Sequence, residues 1–136
     1  MKTDSASSTS VWMATADVPN FGKLETNITC DVCIIGAGIT GLTTAYLLTK
    51  EGLNVVIVDD GPICGGETQR TTAHISDVID DRYYRMEEIH GTQNIELAYT
   101  SQRAAIDLIT QNIVEEKIVC DFEVVNGYLF STDKKD

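Results

Sequence analysis

No apolar run in this sequence approaches the roughly 18 residues that a membrane span requires. The first ten residues, Met1 to Ser10, are polar and lack the hydrophobic region of a signal peptide. A cytoplasmic location follows as the default, with no membrane partner. Basic residues are scarce: 10 Lys and Arg stand against 21 Asp and Glu, a formal net charge of -11. Such a balance argues against nucleic acid and against anionic membrane surfaces as partners. It does not argue against a phosphorylated small molecule, because general repulsion is screened beyond about 8 Å at physiological salt. Cysteine is limited to Cys30, Cys33, Cys64 and Cys120. The single C-x-x-C, Cys30 to Cys33, has no second copy and no C-x-H beside it, so neither a zinc ribbon nor a Rieske cluster can be built. It falls at the entry to an apolar run, where residues three apart on a strand point to opposite faces. Cys33 is therefore expected as a small buried hydrophobe, the others as reduced thiols, and no metal site is expected.

What is present begins with Asp31-Val32-Cys33-Ile34-Ile35-Gly36-Ala37-Gly38-Ile39-Thr40-Gly41. An apolar run ends in G-x-G-x-x-G, and Ile39, Leu42, Ala45 and Leu48 then mark one face of a helix. Gly52 stands where a helix-terminating glycine belongs. A second apolar run, Leu53 to Val58, ends in the acid pair Asp59-Asp60. The order strand, glycine turn, helix, strand, acid is that of a Rossmann-like α/β dinucleotide-binding βαβ unit over 30–60. Gly36 permits a sharp turn off the strand, Gly38 clears space for a pyrophosphate, and Gly41 permits close helix–strand packing. The helix start at Ile39 and Thr40 offers unpaired N–H groups and about half a positive charge to phosphates. Asp59 lies 23 positions after Gly36, near the roughly 20 expected of a ribose-binding acid. The plainer alternative is a βαβ unit whose glycines only make a tight turn and whose terminal acids are solvated.

The rest of the chain divides around this unit. Residues 1–29 read as a polar leader and an irregular arm, in which Trp12 packs the arm onto the domain. Residues 61–74 form a Gly- and Pro-marked loop followed by the polar run Glu67-Thr68-Gln69-Arg70-Thr71-Thr72-Ala73-His74. A short helix from Asp80 to His90, closed by Gly91, and a longer one from Gln93 to about Glu116 are predicted. On the longer helix Ile95, Ala98, Ala105, Leu108, Ile109 and Ile113 share one face, widened by Tyr99 and Ile106. Asn126-Gly127 within an alternating stretch predicts a C-terminal β-hairpin over about 118–131. His74 reads as a loop hydrogen-bonding residue or, near a cofactor, a general base. His90 reads as a cation at a helix C-terminus. Only two parallel strands are evident where a complete dinucleotide domain needs several. The expectation is the front part of a larger protein, with an unpaired strand edge open to self-association.

The segment from Cys30 to about Gly91 resembles the N-terminal part of D-amino-acid-oxidase-like FAD-dependent oxidoreductases, and most of all their bacterial members with a C-terminal Rieske domain. The resemblance rests on the glycine motif, on Val58-Asp59-Asp60-Gly61 with Gly65-Gly66-Glu67-Thr68-Gln69-Arg70-Thr71-Thr72-Ala73-His74, and on Asp80-Asp81-Arg82-Tyr83-Tyr84 running to His90-Gly91. The arm Ser10 to Thr15 and the stretch Asn126 to Phe130 are similar too. It implies that Gly36, Gly38 and Gly41 hold the FAD pyrophosphate and that Asp59 binds the adenosine ribose. It also implies that Thr68, Arg70, Thr71 and Thr72 form a second cofactor segment towards the flavin. Gln69 departs from the family, whose members usually have glycine there; a positive φ at that position would cost on the order of 1 kcal/mol. The implied reaction is hydride transfer from a small substrate, often an amine, to flavin in the complete protein, with catalytic residues beyond this chain. An NAD-dependent dehydrogenase and a non-catalytic nucleotide-binding remnant are the alternatives; Asp59 disfavours NADP, whose 2′-phosphate it would repel.

Overall fold

Val32, Ile34 and Ile35 on one side and Val55, Val56, Ile57 and Val58 on the other are the β-branched residues that favour an extended chain. They form β1 (Val32–Ile35) and β2 (Val55–Val58), paired in parallel with Val32 opposite Val55 and Ile35 opposite Val58. These observations come from a computed structural model that describes residues 9–128 and 130. The described residues fall into two units, one ending at His74 and the other starting at Ile75.

In the first unit, helix α2 (Ile39–Lys50) connects the two strands. Ala45 on α2 and Ala37 before it are the buried apolar residues among those described. Leu42, Leu48, Val32, Ile34 and all of β2 are half-buried around them. The chain leaves α2 through Gly52, at φ 84°, and Asn54 then ties the two strand entries together. Its backbone N–H donates to the Asp31 carboxylate at 2.8 Å and its side-chain amide to the Thr29 carbonyl at 3.3 Å. The expected βαβ order is thus present.

Cys33 does not follow the sequence reading. Burial alternates along β1, and Cys33 and Ile35 lie on the exposed side, Ile35 at 88% exposure. A parallel sheet is normally covered on both faces; among the described residues this one is covered on the α2 face only, so the residues of odd register stay open.

The arm is more ordered than predicted. Val11–Thr15 form a short helix, α1, whose start is capped by the Ser10 hydroxyl accepting the Met13 N–H at 3.2 Å. Glu67–Arg70 form a single 3-10 turn.

In the second unit, helices α3 (Tyr83–His90) and α4 (Thr92–Glu115) are joined by Gly91 alone, at φ 80°. The predicted pair is present with slightly shifted ends. α3 begins at Tyr83 rather than Asp80 because Arg82 is extended, at φ -64° and ψ 136°. Tyr83 ties the preceding segment down: its hydroxyl donates to the Asp77 carbonyl at 2.5 Å, and its ring meets Tyr99 edge-on at 5.9 Å. Arg103 pairs with the Asp77 carboxylate at 3.2 Å. On α4, Ile95, Ile106, Leu108, Ile109 and Ile113 are half-buried. Ala98 and Ala105, expected on the same stripe, are exposed, because the covered stripe runs through Gln102 and Ile106 instead.

The hairpin predicted over 118–131 is not formed among the described residues of that stretch, which contain no strand. Val119 is 97% exposed, and Val124, Tyr128 and Phe130 are open to solvent as well. A hairpin with no apolar surface beneath it is marginal in water, and turn propensity at Asn126-Gly127 does not replace that surface. Leu129 and Ser131 lie outside the described residues. Among those described, no helix is long and apolar enough to cross a membrane.

Candidate cofactor-binding site

At the C-terminal ends of β1 and β2 the chain opens into a cleft of about 730 Å³, within the 300–1,000 Å³ usual for small-molecule sites. Gly36, Gly38, Ile39, Thr40 and Gly41 line one wall, Asp59, Asp60 and Gly61 another, and Gly65, Gly66, Glu67 and Thr68 the third. Eight of the predicted site residues thus share one space, Gly36, Gly38, Ile39, Thr40, Gly41, Asp59, Asp60 and Thr68, while Arg70, Thr71 and Thr72 do not line it.

The glycine turn has the geometry its spacing suggests. Gly36 sits at φ 104°, which side chains rarely tolerate. At Gly41 a Cβ would overlap the Gly36 carbonyl oxygen and approach the Ile34 side chain to 3.3 Å. Neither atom can give way: one is backbone and the other lies under the helix. At Gly38 a Cβ would come within 3.2 Å of the Thr68 hydroxyl, so this glycine makes room for Thr68 as well as for a ligand.

Two side chains and one backbone amide brace the turn. The Asp59 carboxylate accepts the Ala37 N–H at 2.6 Å through one oxygen and the Gly61 N–H at 2.8 Å through the other. These bonds, from Ala37 first and Gly61 second, hold its carboxyl below the usual aspartate range. The Thr68 hydroxyl accepts the Ile39 N–H at 2.9 Å, satisfying the first amide of α2. The Ala37 carbonyl accepts the Cys64 N–H at 2.9 Å. The next two amides of the helix start, those of Thr40 and Gly41, have no acceptor among the described residues. A helix start with open N–H groups facing a cleft is a ready site for phosphate oxygens. Asp59 keeps unused lone pairs on both oxygens, which suits it to accept hydroxyl protons. The residues present therefore fit a dinucleotide.

The second predicted segment is placed differently. Arg70 lies 3.6 Å from the Glu67 carboxylate. The Thr71 carbonyl accepts the Trp12 indole N–H at 2.7 Å, and its hydroxyl accepts the Ala73 N–H at 3.1 Å. Gln69 lies inside the 3-10 turn with an ordinary backbone, and its side-chain amide donates to the Gly65 carbonyl at 2.6 Å. The positive φ values fall on Cys64, at 58°, and Ala73, at 54°, so the departure from glycine at Gln69 carries no strain. His74 and His90 are exposed, and neither ring has a hydrogen-bond partner among the described residues.

Sequence reasoning passed over Gly61, Gly65, Gly66 and Glu67 as site residues. Their turn composition marked them as a loop, but nothing local to it says that the loop folds back onto a glycine turn more than twenty residues earlier.

Comparison with known proteins bears on the same residues. The model of the FAD dependent oxidoreductase family matches residues 31–136. A Bacillus subtilis protein named as a putative Rieske 2Fe-2S iron-sulfur protein is 36% identical over 126 residues, which cover 90% of this chain and 24% of that protein. Gamma-glutamylputrescine oxidoreductase of Escherichia coli is 26% identical over 115 residues, covering 85% of this chain and 27% of the enzyme. D-amino acid dehydrogenase 2 of Pseudomonas aeruginosa is 54% identical over 37 residues, covering 27% of this chain and 9% of the enzyme. The chain spans about a quarter of the length of the first two relatives. No solved structure matches it significantly.

Proposed function

The chain belongs to the family of FAD-dependent oxidoreductases, and from that premise we propose that residues 30–74 hold the FAD of an enzyme oxidising a small amine-bearing substrate. The observation that carries this reading is the start of α2. There the turn Gly36 to Gly41 leaves two open N–H groups beside a cleft that also holds the Asp59 carboxylate. The Thr40 and Gly41 amides are assigned to the pyrophosphate, Asp59 to the ribose hydroxyls, and Thr68 to the edge between them. Arg70, at the end of the 3-10 turn, and Thr71 and Thr72 just after it are assigned to the flavin side. FAD, when bound, would accept the hydride that the substrate C–H bond releases. The amine class is supported by two relatives whose names include a putrescine conjugate and a D-amino acid. A cytoplasmic location belongs to the same reading. So does self-association, now through the open edges of β1 and β2 rather than through a hairpin.

The test is an absorbance spectrum of the purified chain after gel filtration, with and without added FAD. Flavin bands that co-elute with the protein, and that are lost in Gly41→Val, are the expected result. A folded, colourless chain that ignores FAD would sink the reading.

A further inference from the structure

Helix α1 lies against the 3-10 turn Glu67–Arg70, and two of its bonds reach the same stretch of backbone. The Ser10 hydroxyl donates to the Gln69 carbonyl at 2.5 Å, and the Trp12 indole N–H donates to the Thr71 carbonyl at 2.7 Å. On its other side that stretch is held by the Thr68 hydroxyl, which accepts the Ile39 N–H of α2. Alternate residues therefore take alternate partners: Thr68 faces the glycine-turn helix, while the Gln69 and Thr71 carbonyls face the arm. Within its own loop the Gln69 N–H donates to the Cys64 carbonyl at 3.2 Å and the Thr71 N–H to the Thr68 carbonyl at 3.3 Å. Thr71, Thr72 and Ala73 are exposed, and Ala73 sits at φ 54°, a conformation that persists in a non-glycine residue only where its surroundings over-determine it. The region matched by the family model begins at residue 31, so the arm lies outside the matched region.

We propose that Ser10 and Trp12 are positioning residues: they strap the backbone of residues 69–72 in place and thereby set the Thr68–Arg70 turn for the cofactor. The cofactor part of this inference rests on the function proposed above; the strapping does not. Two donors on one short helix act together. Losing either frees one carbonyl, and losing both leaves the stretch without these ties to the arm.

The test uses the full chain as wild type, Ser10→Ala, Ser10→Thr and Trp12→Phe, the last keeping an aromatic ring without the N–H. Two readouts are needed. Amide hydrogen exchange over residues 68–73, without FAD, reads the strap. An FAD titration followed by flavin absorbance reads its consequence. The expected result is exchange faster by about tenfold in Ser10→Ala and Trp12→Phe, with FAD dissociation constants raised about three- to tenfold, and both restored in Ser10→Thr. Tenfold corresponds to about 1.4 kcal/mol, the size of one or two exposed hydrogen bonds. Unchanged exchange in both donor-deleting variants would overturn the strap. Faster exchange with unchanged FAD affinity would overturn its role towards the cofactor. A wild type that takes up no FAD would overturn the proposed function and leave the exchange result to decide the strap.

Discussion

The two units are built by different means. In the first, loops carry the structure: Asp59, Thr68, Cys64 and Ser10 each tie one loop to another across more than twenty residues of sequence. In the second, a pair of helices joined by one glycine is held by side-chain contacts, an edge-on tyrosine pair and the Asp77–Arg103 ion pair. The difference teaches where sensitivity should lie. A unit built on long-range bonds to backbone groups has few substitutable positions, because several of these bonds converge on the one glycine turn. A helix pair spreads its stability along an apolar stripe and tolerates change outside it.

The sharpest way to break this contrast is at Gly41. Gly41→Ala places a methyl group on the Gly36 carbonyl oxygen, an overlap that no rotamer change relieves. The expected loss is about 3 kcal/mol, read by unfolding monitored through Trp12, the one tryptophan of the chain. FAD uptake should vanish with it. A variant as stable as wild type would mean that α2 can move off β1.

Next comes Asp59. Asp59→Asn keeps the shape but exchanges a charged acceptor of two backbone bonds for a neutral amide, so the first unit should lose stability at neutral pH. The pH dependence gives the sign. A folded-state pKa held below the ordinary aspartate value of about 3.9 contributes stability that is present above that value and lost as pH falls through the lowered pKa. Wild type should therefore lose part of its Trp12-monitored stability on that acid limb, and Asp59→Asn should lose less there. Identical acid limbs would show that the two N–H bonds to Asp59 do not form in solution.

Thr68→Val tests a smaller link, removing the acceptor of the Ile39 N–H while keeping the branched shape. About 1 kcal/mol is expected, with Thr68→Ser near wild type. Since Thr68 joins α2 to the 3-10 turn, chemical unfolding of the first unit should report it and hydrogen exchange within α4 should not.

The βαβ core, the helix pair and the near half of the site were legible in the sequence, for reasons these residues make plain. Strand, glycine turn and acid are local patterns, and Gly36, Gly41 and Asp59 stand where their spacing suggested. What stayed hidden depends on pairing at a distance. Nothing in Gly61 to Gly66 says that Cys64 will meet Ala37, and nothing in Ser10 or Trp12 says that their donors will find the Gln69 and Thr71 carbonyls. The errors have the same origin in reverse. Cys33, and the hairpin around Asn126-Gly127, were read from patterns that presume a covering layer, and among the described residues that layer is absent.

Ala98 and Ala105 give the smallest effect and a clean discrimination. The helical pattern placed both on the buried stripe of α4, where a lysine would leave a charge in an apolar contact and cost several kcal/mol. The structure exposes both, with the covered stripe running instead through Gln102, Ile106 and Ile109. Lysine is a good helix former, so Ala105→Lys should change stability by less than about 0.5 kcal/mol, measured as hydrogen-exchange protection along α4. Ile109→Ala, on the covered side, should cost more than Ala105→Lys. Should the lysine prove the costlier of the two, the sequence pattern would be the better guide to this helix, and the contrast between a tightly specified first unit and a tolerant second one would fail where it is easiest to check.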